Sequence, residues 1–308
     1  MFVPDGPRQD VLNRDGGSRT WMVDADGILL RVRHWPGRGN GVPVLLAHGT
    51  GFTTATWHGV AERLRADRDV FAYERRGHGA SDKPVGHLTI ADFAADVPAV
   101  CRALGLRRCV GIGHSAGATD LLLTAARHPG LFTGLFLHEP TVANADARPA
   151  SDPFPQPIAD RLERLMRRRA SFPSKAAALE QYAARPLFAG WRPDLLRAYV
   201  ETAFGEVAGG VRLLCTPELE WEMTENIGHA MADRDPGGGV FRCLPDLTTP
   251  YVLALSAASE PIFDTMGEWL MAWVEPMRTI RFDCGHCAPM ERPDAFTDAA
   301  RLVVGAAV

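Results

Sequence analysis

The stretch Gly113-His114-Ser115-Ala116-Gly117 constrains this chain more than any other. A short apolar run, Cys109-Val110-Gly111-Ile112, precedes it. A helical pattern over residues 118–127 follows, with Leu121, Leu122 and Ala125 on one side. Strand, Gly-x-Ser-x-Gly, helix is the context a nucleophile elbow requires. The serine backbone must sit in a strained turn, and side chains two residues before and after it would collide with the neighbouring strand and helix. Gly113 and Gly117 remove those side chains. Ser115 is then held at the strand's C-terminal end, where the next helix presents free backbone N–H groups. Five such residues also occur as a glycine-rich turn with an idle serine. The reading therefore depends on partners: an acid and a histidine downstream, and an oxyanion donor upstream.

The rest of the chain supplies candidates for all three. Residues 1–20 read as a polar, extended arm. Apolar runs at 20–23 and 28–35 flank Asp24-Ala25-Asp26-Gly27, a hairpin signal. Residues 42–47 form a continuous apolar run, suited to a strand buried on both faces. His48-Gly49-Thr50-Gly51-Phe52 follows at once, and Trp57 begins a helix to about residue 66. Another buried strand, 70–73, ends in the polar turn Glu74-Arg75-Arg76-Gly77-His78-Gly79-Ala80-Ser81-Asp82. Thr89 caps a helix through residue 104, with Asp92 placed for a capping box and Pro98 placed to kink it. Residues 135–138 are a short strand that Glu139-Pro140 terminates.

Alternation then stops. From 141 to about 247 the apolar spacing is helical, with helices expected at 158–170, 174–184, 194–204 and 218–232. Pro153, Pro155, Pro157 and Pro173 punctuate the entrance and Gly237-Gly238-Gly239 the exit. Arg167-Arg168-Arg169 inside this span reads as a solvated helix face. Strand and helix resume at 251–255, 262–273 and 279–282, then the His286 loop, then a helix opened by Pro293. The expected organisation is a core of residues 1–140 and 248–308, with 141–247 as a helical cap. Alternating strands and helices imply a mostly parallel sheet with right-handed crossovers. Sites on such sheets lie beyond the strands' C-terminal ends, where Ser115, His48-Gly49, Glu139 and His286 converge.

Composition excludes several function classes. The 308 residues carry a net charge of −4, which does not suggest nucleic acid or an anionic membrane as partner. No apolar run is long enough to cross a bilayer, and no signal peptide is visible. Cysteines at 101, 109, 215, 243, 284 and 287 lack disulfide-rich spacing, so reduced thiols in the cytoplasm are expected. Cys284-Gly285-His286-Cys287 has Cys-x-x-Cys form but stands near the chain's end and runs into Pro289, unlike a redox motif. No second pair lies at zinc-finger spacing.

With these residues in hand, the chain resembles the α/β-hydrolase superfamily over nearly its whole length outside the arm. The resemblance rests on His48-Gly49 with Trp57, the Arg76-Gly77-His78-Gly79-x-Ser81 turn, the Gly113–Gly117 elbow, and Gly285-His286 with Glu291 and Pro293 behind it. It implies an α/β fold with a helical cap insertion, Ser115 as nucleophile and His286 as base. His78 belongs to a structural turn, His114 points sideways from the elbow, and His48 makes backbone hydrogen bonds. The oxyanion hole is expected from the backbone N–H groups of Ala116 and Thr50, with Gly49 and Gly51 giving room. Most members carry the acid after the strand that follows the insertion, where this chain reads Ser256-Ala257-Ala258-Ser259-Glu260-Pro261. Ser259 stands where a carboxylate is usual. Glu139 is the alternative, resembling zearalenone-type lactone hydrolases and using the strand end that haloalkane dehalogenases use. Glu139 is therefore the expected acid, with Glu260 and Asp264 as the competing candidates.

The resulting expectation is a serine hydrolase of a carboxylic ester or lactone, with no metal or organic cofactor implied. A carbon–carbon bond hydrolase of ring-cleavage products, a perhydrolase or cofactor-free oxygenase, and a ligand receptor with vestigial chemistry are rivals on the same fold. Serine at the elbow argues against the dehalogenases and epoxide hydrolases, which use aspartate there. Trp191, Trp221, Phe188 and Met223 in the insertion suggest a small-molecule, bulky apolar substrate, although each also suits ordinary packing.

Overall fold

The computed structural model describes residues 11–12, 17–84, 86, 88–143, 156–231 and 239–305. Most of the expected N-terminal arm, Pro153, Pro155 and Gly237-Gly238 lie outside the described residues.

Strand β1 (Val11–Leu12) pairs with β2 (Arg19–Ala25), which turns back into β3 (Ile28–Trp35). The turn is the Asp-Gly hairpin read from the sequence. Asp26 and Gly27 have φ of 58° and 91°, both left-handed. Asp and Gly adopt that conformation at the lowest cost, and its twist matches the flanking strands. Then follow β4 (Gly41–Ala47), α1 (His58–Leu64), β5 (Arg68–Tyr73), α2 (Ile90–Ala103), β6 (Cys109–His114), α3 (Ala116–Arg127) and β7 (Phe132–His138). Helix α2 begins with the expected capping box, Thr89 and Asp92 each bonding the other's backbone N–H.

An inserted segment holds α4 (Gln156–Met166), β8 (Ser171–Phe172), α5 (Lys175–Ala183), α6 (Pro193–Ala203), β9 (Phe204–Val207), β10 (Gly210–Leu213) and α7 (Pro217–Met231). The core resumes with β11 (Tyr251–Ser256), α8 (Ile262–Trp273), β12 (Arg278–Phe282), α9 (Ala288–Glu291) and α10 (Pro293–Val304). The central sheet has nine strands in the order β1-β2-β3-β5-β4-β6-β7-β11-β12. From β5 through β12 the neighbours are parallel; β1, β2 and β3 are antiparallel additions at one edge.

Alternate residues of the strands feed two cores. Leu45 and Ala47 face α2, α3 and α8, while Val44 and Leu46 face α1 and α10. Burial on both faces is why these strands read as unbroken apolar runs. The inserted segment has its own cluster around Tyr182, Phe188, Trp191 and Tyr199, and it reaches the core through Phe52, Cys287 and Met290.

Two expectations for the inserted segment need correction. It is not purely helical: β8, β10 and β9 form a separate three-stranded antiparallel sheet. With strands of two to four residues, no alternation is long enough to register in the sequence. The 3-10 turn Val240–Asp246, assigned to the insertion, packs on α3 instead, with Val240, Phe241 and Leu244 in the same cluster as Leu121. Among the described residues no helix is long and apolar enough to cross a membrane.

Candidate active site

Ser115 lies between β6 and α3 with φ 54° and ψ −127°. A positive φ at a non-glycine residue is a strained conformation that persists only where its surroundings enforce it. The enforcement is visible. A Cβ on Gly113 would stand 2.4 Å from the Ala118 Cα, and one on Gly117 would stand 2.3 Å from the Ala47 carbonyl oxygen. The Ser115 N–H donates to the His138 carbonyl oxygen at 2.8 Å, tying the turn to the end of β7.

Glu139, the next residue of that strand end, is itself at φ 46°. Its side chain is 1% exposed and points at His286, whose Nδ1 is 2.5 Å from Glu139 Oε2. Two further groups donate to the same carboxylate: the Ser256 N–H at 2.8 Å and the Ser259 hydroxyl at 2.9 Å. The serine standing at the usual acid position thus donates to the Glu139 carboxylate. Glu260 and Asp264 turn outward. Glu260 is 58% exposed and meets Arg164 at 3.4 Å, and Asp264 is 50% exposed and meets Arg281 at 2.8 Å.

His286 is held from three sides. The Glu291 carboxylate accepts the N–H groups of Gly285 and Cys287 at 3.0 and 3.2 Å, bracketing the histidine. His114 Nε2 donates to the His286 carbonyl oxygen at 2.8 Å. Phe263 stacks on the imidazole with ring centroids 4.1 Å apart. Burial, reinforced by the Arg161 guanidinium, lowers the His286 pKa to about 3. The adjacent Glu139 carboxylate pulls the other way, and the neutral imidazole is the resting form at pH 7. Burial raises the Glu139 pKa, opposed by His138 and by the Ser256 and Ser259 donors.

The loop after β4 is braced by two buried, neutral histidines. His48 Nδ1 donates to the Gly49 carbonyl at 2.8 Å, and its Nε2 accepts the Arg75 N–H at 3.1 Å. His78 Nε2 accepts the Gly51 N–H at 2.9 Å, and its Nδ1 donates to the Arg76 carbonyl at 3.0 Å. Burial lowers both pKa values, that of His48 to about 3. The roles read for His48, His78 and His114 agree with these contacts. Arg75 adds a buried, bidentate pair to Asp120 at 2.5 and 3.1 Å and reaches Thr50 Oγ1 at 3.3 Å. Thr50 and Ala116 line one small cavity together. Among the described residues, neither of their backbone N–H groups donates to a protein acceptor.

Two cavities of about 40 Å³ each flank Ser115, and Thr50, Ser115 and Arg161 border both. His286, Phe188 and Tyr199 line one; Ile227, Phe263 and Met266 line the other. Of the four aromatic and methionine residues singled out in the insertion, Phe188 lines a cavity beside Ser115, and Met223 lines the one beside Ala116. Trp191 packs on Phe52 at 5.5 Å between ring centroids.

Sequence reasoning missed the Arg161–Glu220–Arg168 cluster. The arginine run 167–169 is not one solvated face. Arg168 turns inward, 14% exposed, to bond Glu220 Oε2 and the Tyr182 hydroxyl, while Arg167 is 77% exposed. Helix α4 ends at Met166, so the three arginines do not share a helical periodicity. Cys284 and Cys287 are buried free thiols, and burial raises both pKa values, Cys284 to about 11. Among the described residues, no cluster of three His, Cys, Asp or Glu side chains is placed to hold a metal ion.

With this geometry in place, comparison with known proteins is informative. A 2-(acetamidomethylene)succinate hydrolase of Mesorhizobium japonicum is 28% identical over 194 residues, covering 63% of this chain and 65% of that protein. The monoglyceride lipase of Homo sapiens is 27% identical over 263 residues, covering 81% and 76%. The chain spans 65% or less of the length of the first curated relatives it matches. The crystal structure of an E-2-(acetamidomethylene)succinate hydrolase superposes with a TM-score of 0.75 at 20% identity, covering 93% of this chain and 98% of that one, a likeness of fold. The profile of the alpha/beta hydrolase family matches residues 44–299, and the chain belongs to that family.

Proposed function

We propose that this protein is a serine hydrolase that cleaves a carboxylic ester or lactone through an acyl-enzyme intermediate. The observation that carries the proposal is the 2.5 Å contact of His286 Nδ1 with the buried Glu139 carboxylate, in a molecule whose strained Ser115 shares a cavity with His286. In this reading Nδ1–H donates to Glu139, which leaves Nε2 unprotonated. Nε2 takes the Ser115 hydroxyl proton as Oγ attacks the substrate carbonyl. The Thr50 and Ala116 N–H groups receive the developing oxyanion, each worth about 3 kcal/mol in the transition state. The imidazolium then protonates the leaving alkoxide. Water, activated by the same histidine, releases the acid and restores Ser115.

The described part of the insertion, residues 156–231, acts as the cap in this reading. Its support is that Ile158, Arg161, Thr224 and Ile227 from that span line a cavity with Ser115. The proposal also assigns the protein to the cytoplasm, with which six free cysteines agree.

The test is a panel of small methyl and aryl esters, lactones and ring-cleavage dienones, followed by product analysis. Ester or lactone turnover, lost in Ser115→Ala and His286→Ala, is expected. Turnover of dienones alone contradicts ester cleavage in favour of carbon–carbon bond hydrolysis. No turnover of any class favours a receptor.

A further inference from the structure

Arg161, on α4, is the charged side chain that borders both cavities beside Ser115 and carries the least compensated charge there. Its side chain is 35% exposed, and its ion pair to Glu220 Oε1 is long, 3.5 Å. The other oxygen of Glu220 is bound tightly by Arg168 Nη1, and Arg168 Nη2 adds a 2.9 Å bond to the Tyr182 hydroxyl. Glu220 is only 6% exposed and sits against Gly51, where an added Cβ would stand 3.0 Å from the carboxylate. One carboxylate thus serves two guanidiniums. The cluster carries one net positive charge, and the excess sits on the looser, more exposed arginine.

Among the described residues, no other acid near Ser115 answers that charge. Glu260 lines one cavity but is mostly exposed and occupied by Arg164. Glu139 lies behind His286 and is already engaged by three donors. A guanidinium offers five N–H donors in a planar fork, and among the described residues Arg161 uses one of them, on Glu220. A half-buried cation beside a reacting carbonyl costs desolvation. It also opposes the imidazolium that His286 must become, and Arg161 is the charged group that lowers the His286 pKa. An anion bound at Arg161 removes both penalties at once.

We infer that Arg161 is a specificity residue that receives a carboxylate of the substrate, so that the preferred substrate is a compact ester or lactone bearing a second, free carboxylate. This rests on the ester-hydrolase reading and narrows it. The expected apolar ligand gives way to an anionic one, and cavities of about 40 Å³ on each side keep it small. The fork geometry matches a carboxylate by two parallel N–H···O bonds. The bound carboxylate makes the base stronger only when the correct substrate is present, which couples recognition to rate.

The experiment compares isosteres that differ only in charge. Monomethyl succinate and monomethyl glutarate are paired with the methyl esters of succinamic and glutaramic acid, in which an amide replaces the free carboxylate. The readout is the ratio of kcat/KM for the acid to that for the amide, by methanol release. A ratio of about 30 to 100 is expected for the native protein, falling to near one in Arg161→Gln and less far in Arg161→Lys. The glutamine variant leaves Glu220 paired with Arg168, so it orphans no buried charge; thermal melts verify folding. A native ratio near one, or an equal ratio in Arg161→Gln, overturns the inference. If the native protein cleaves none of these esters, the ester reading is decided by the wider ester and lactone panel, and the subsite by calorimetry. Succinate binding to Ser115→Ala that weakens at least tenfold in Ser115→Ala/Arg161→Gln supports it. Absent or equal binding overturns it.

Discussion

Replacing Glu139 by glutamine separates the competing acids most sharply, and its effect follows from the donors around the carboxylate. Oε1 accepts the Ser256 N–H at 2.8 Å; Oε2 accepts the Ser259 hydroxyl at 2.9 Å and meets His286 Nδ1 at 2.5 Å. An amide keeps the shape but has one oxygen. The Ser256 N–H is a backbone donor that cannot rotate away, so the amide oxygen turns to it. The Ser259 hydroxyl can turn and accept from the new NH₂. Nδ1 must then accept as well, which moves the imidazole proton to Nε2. In that tautomer Nε2 already carries the proton and cannot take one from Ser115. Turning the amide round instead sets N–H against N–H at Ser256, an unpaired buried donor costing about 1–3 kcal/mol. The same change in a serine-protease triad lowers kcat by about 10⁴. We expect a loss of about 10³ to 10⁴, or about 4–5.5 kcal/mol of barrier. Glu260→Gln and Asp264→Asn, which alter exposed ion pairs, are expected to cost less than tenfold. The assay is steady-state ester or lactone turnover at matched folding, checked by thermal melts. Near-native turnover in Glu139→Gln, with Glu260→Gln inactive, refutes the assignment.

Other perturbations have definite signs. Below the His286 pKa the base is protonated and idle, so the acid limb of kcat/KM is expected well below pH 6.5. Removing the Arg161 charge, which lowers that pKa, should move the limb upward; a limb at or above 6.5 in the native protein contradicts this. His48 and His286 are neutral in the folded state, with pKa values of about 3, and charge on unfolding. Stability is therefore expected to fall as pH drops below about 6.5, by about 1.4 kcal/mol per unit for each such histidine; a melting temperature flat from pH 7.5 to 5 contradicts it. Gly117→Ala drives a Cβ to 2.3 Å from the Ala47 carbonyl oxygen, and a destabilisation of about 3 kcal/mol or failure to fold is expected in urea titrations. Cys284→Ser/Cys287→Ser should keep most activity, because neither thiol is ionised near neutral pH. Activity lost on mild oxidation and rescued by that double variant points instead to redox control.

Legibility in the sequence followed how locally each feature is encoded. The Asp26-Gly27 hairpin, the Thr89–Asp92 box and the Gly113–Gly117 turn each depend on residues within a few positions of one another, and each folds as read. Strands buried on both faces announced themselves as apolar runs. The short strands β8, β9 and β10 did not, because pairing rather than composition defines them. Arg168 reads like its neighbours Arg167 and Arg169 until Glu220 appears 52 residues away. From the sequence alone Ser259 reads only as a missing carboxylate. Its donation to Glu139, 120 residues earlier, is a tertiary fact with no local signature. Its presence where an acid is usual is nonetheless the local signal that directs the search for an acid to another strand.

The central claim is that Ser115 is a nucleophile activated by His286. It is tested most directly by treating the folded protein with a fluorophosphonate probe and measuring intact mass. A single adduct on Ser115 is expected, absent in Ser115→Ala and strongly slowed in His286→Ala and Glu139→Gln. No adduct on native, folded protein, or an adduct that persists in Ser115→Ala, contradicts the claim.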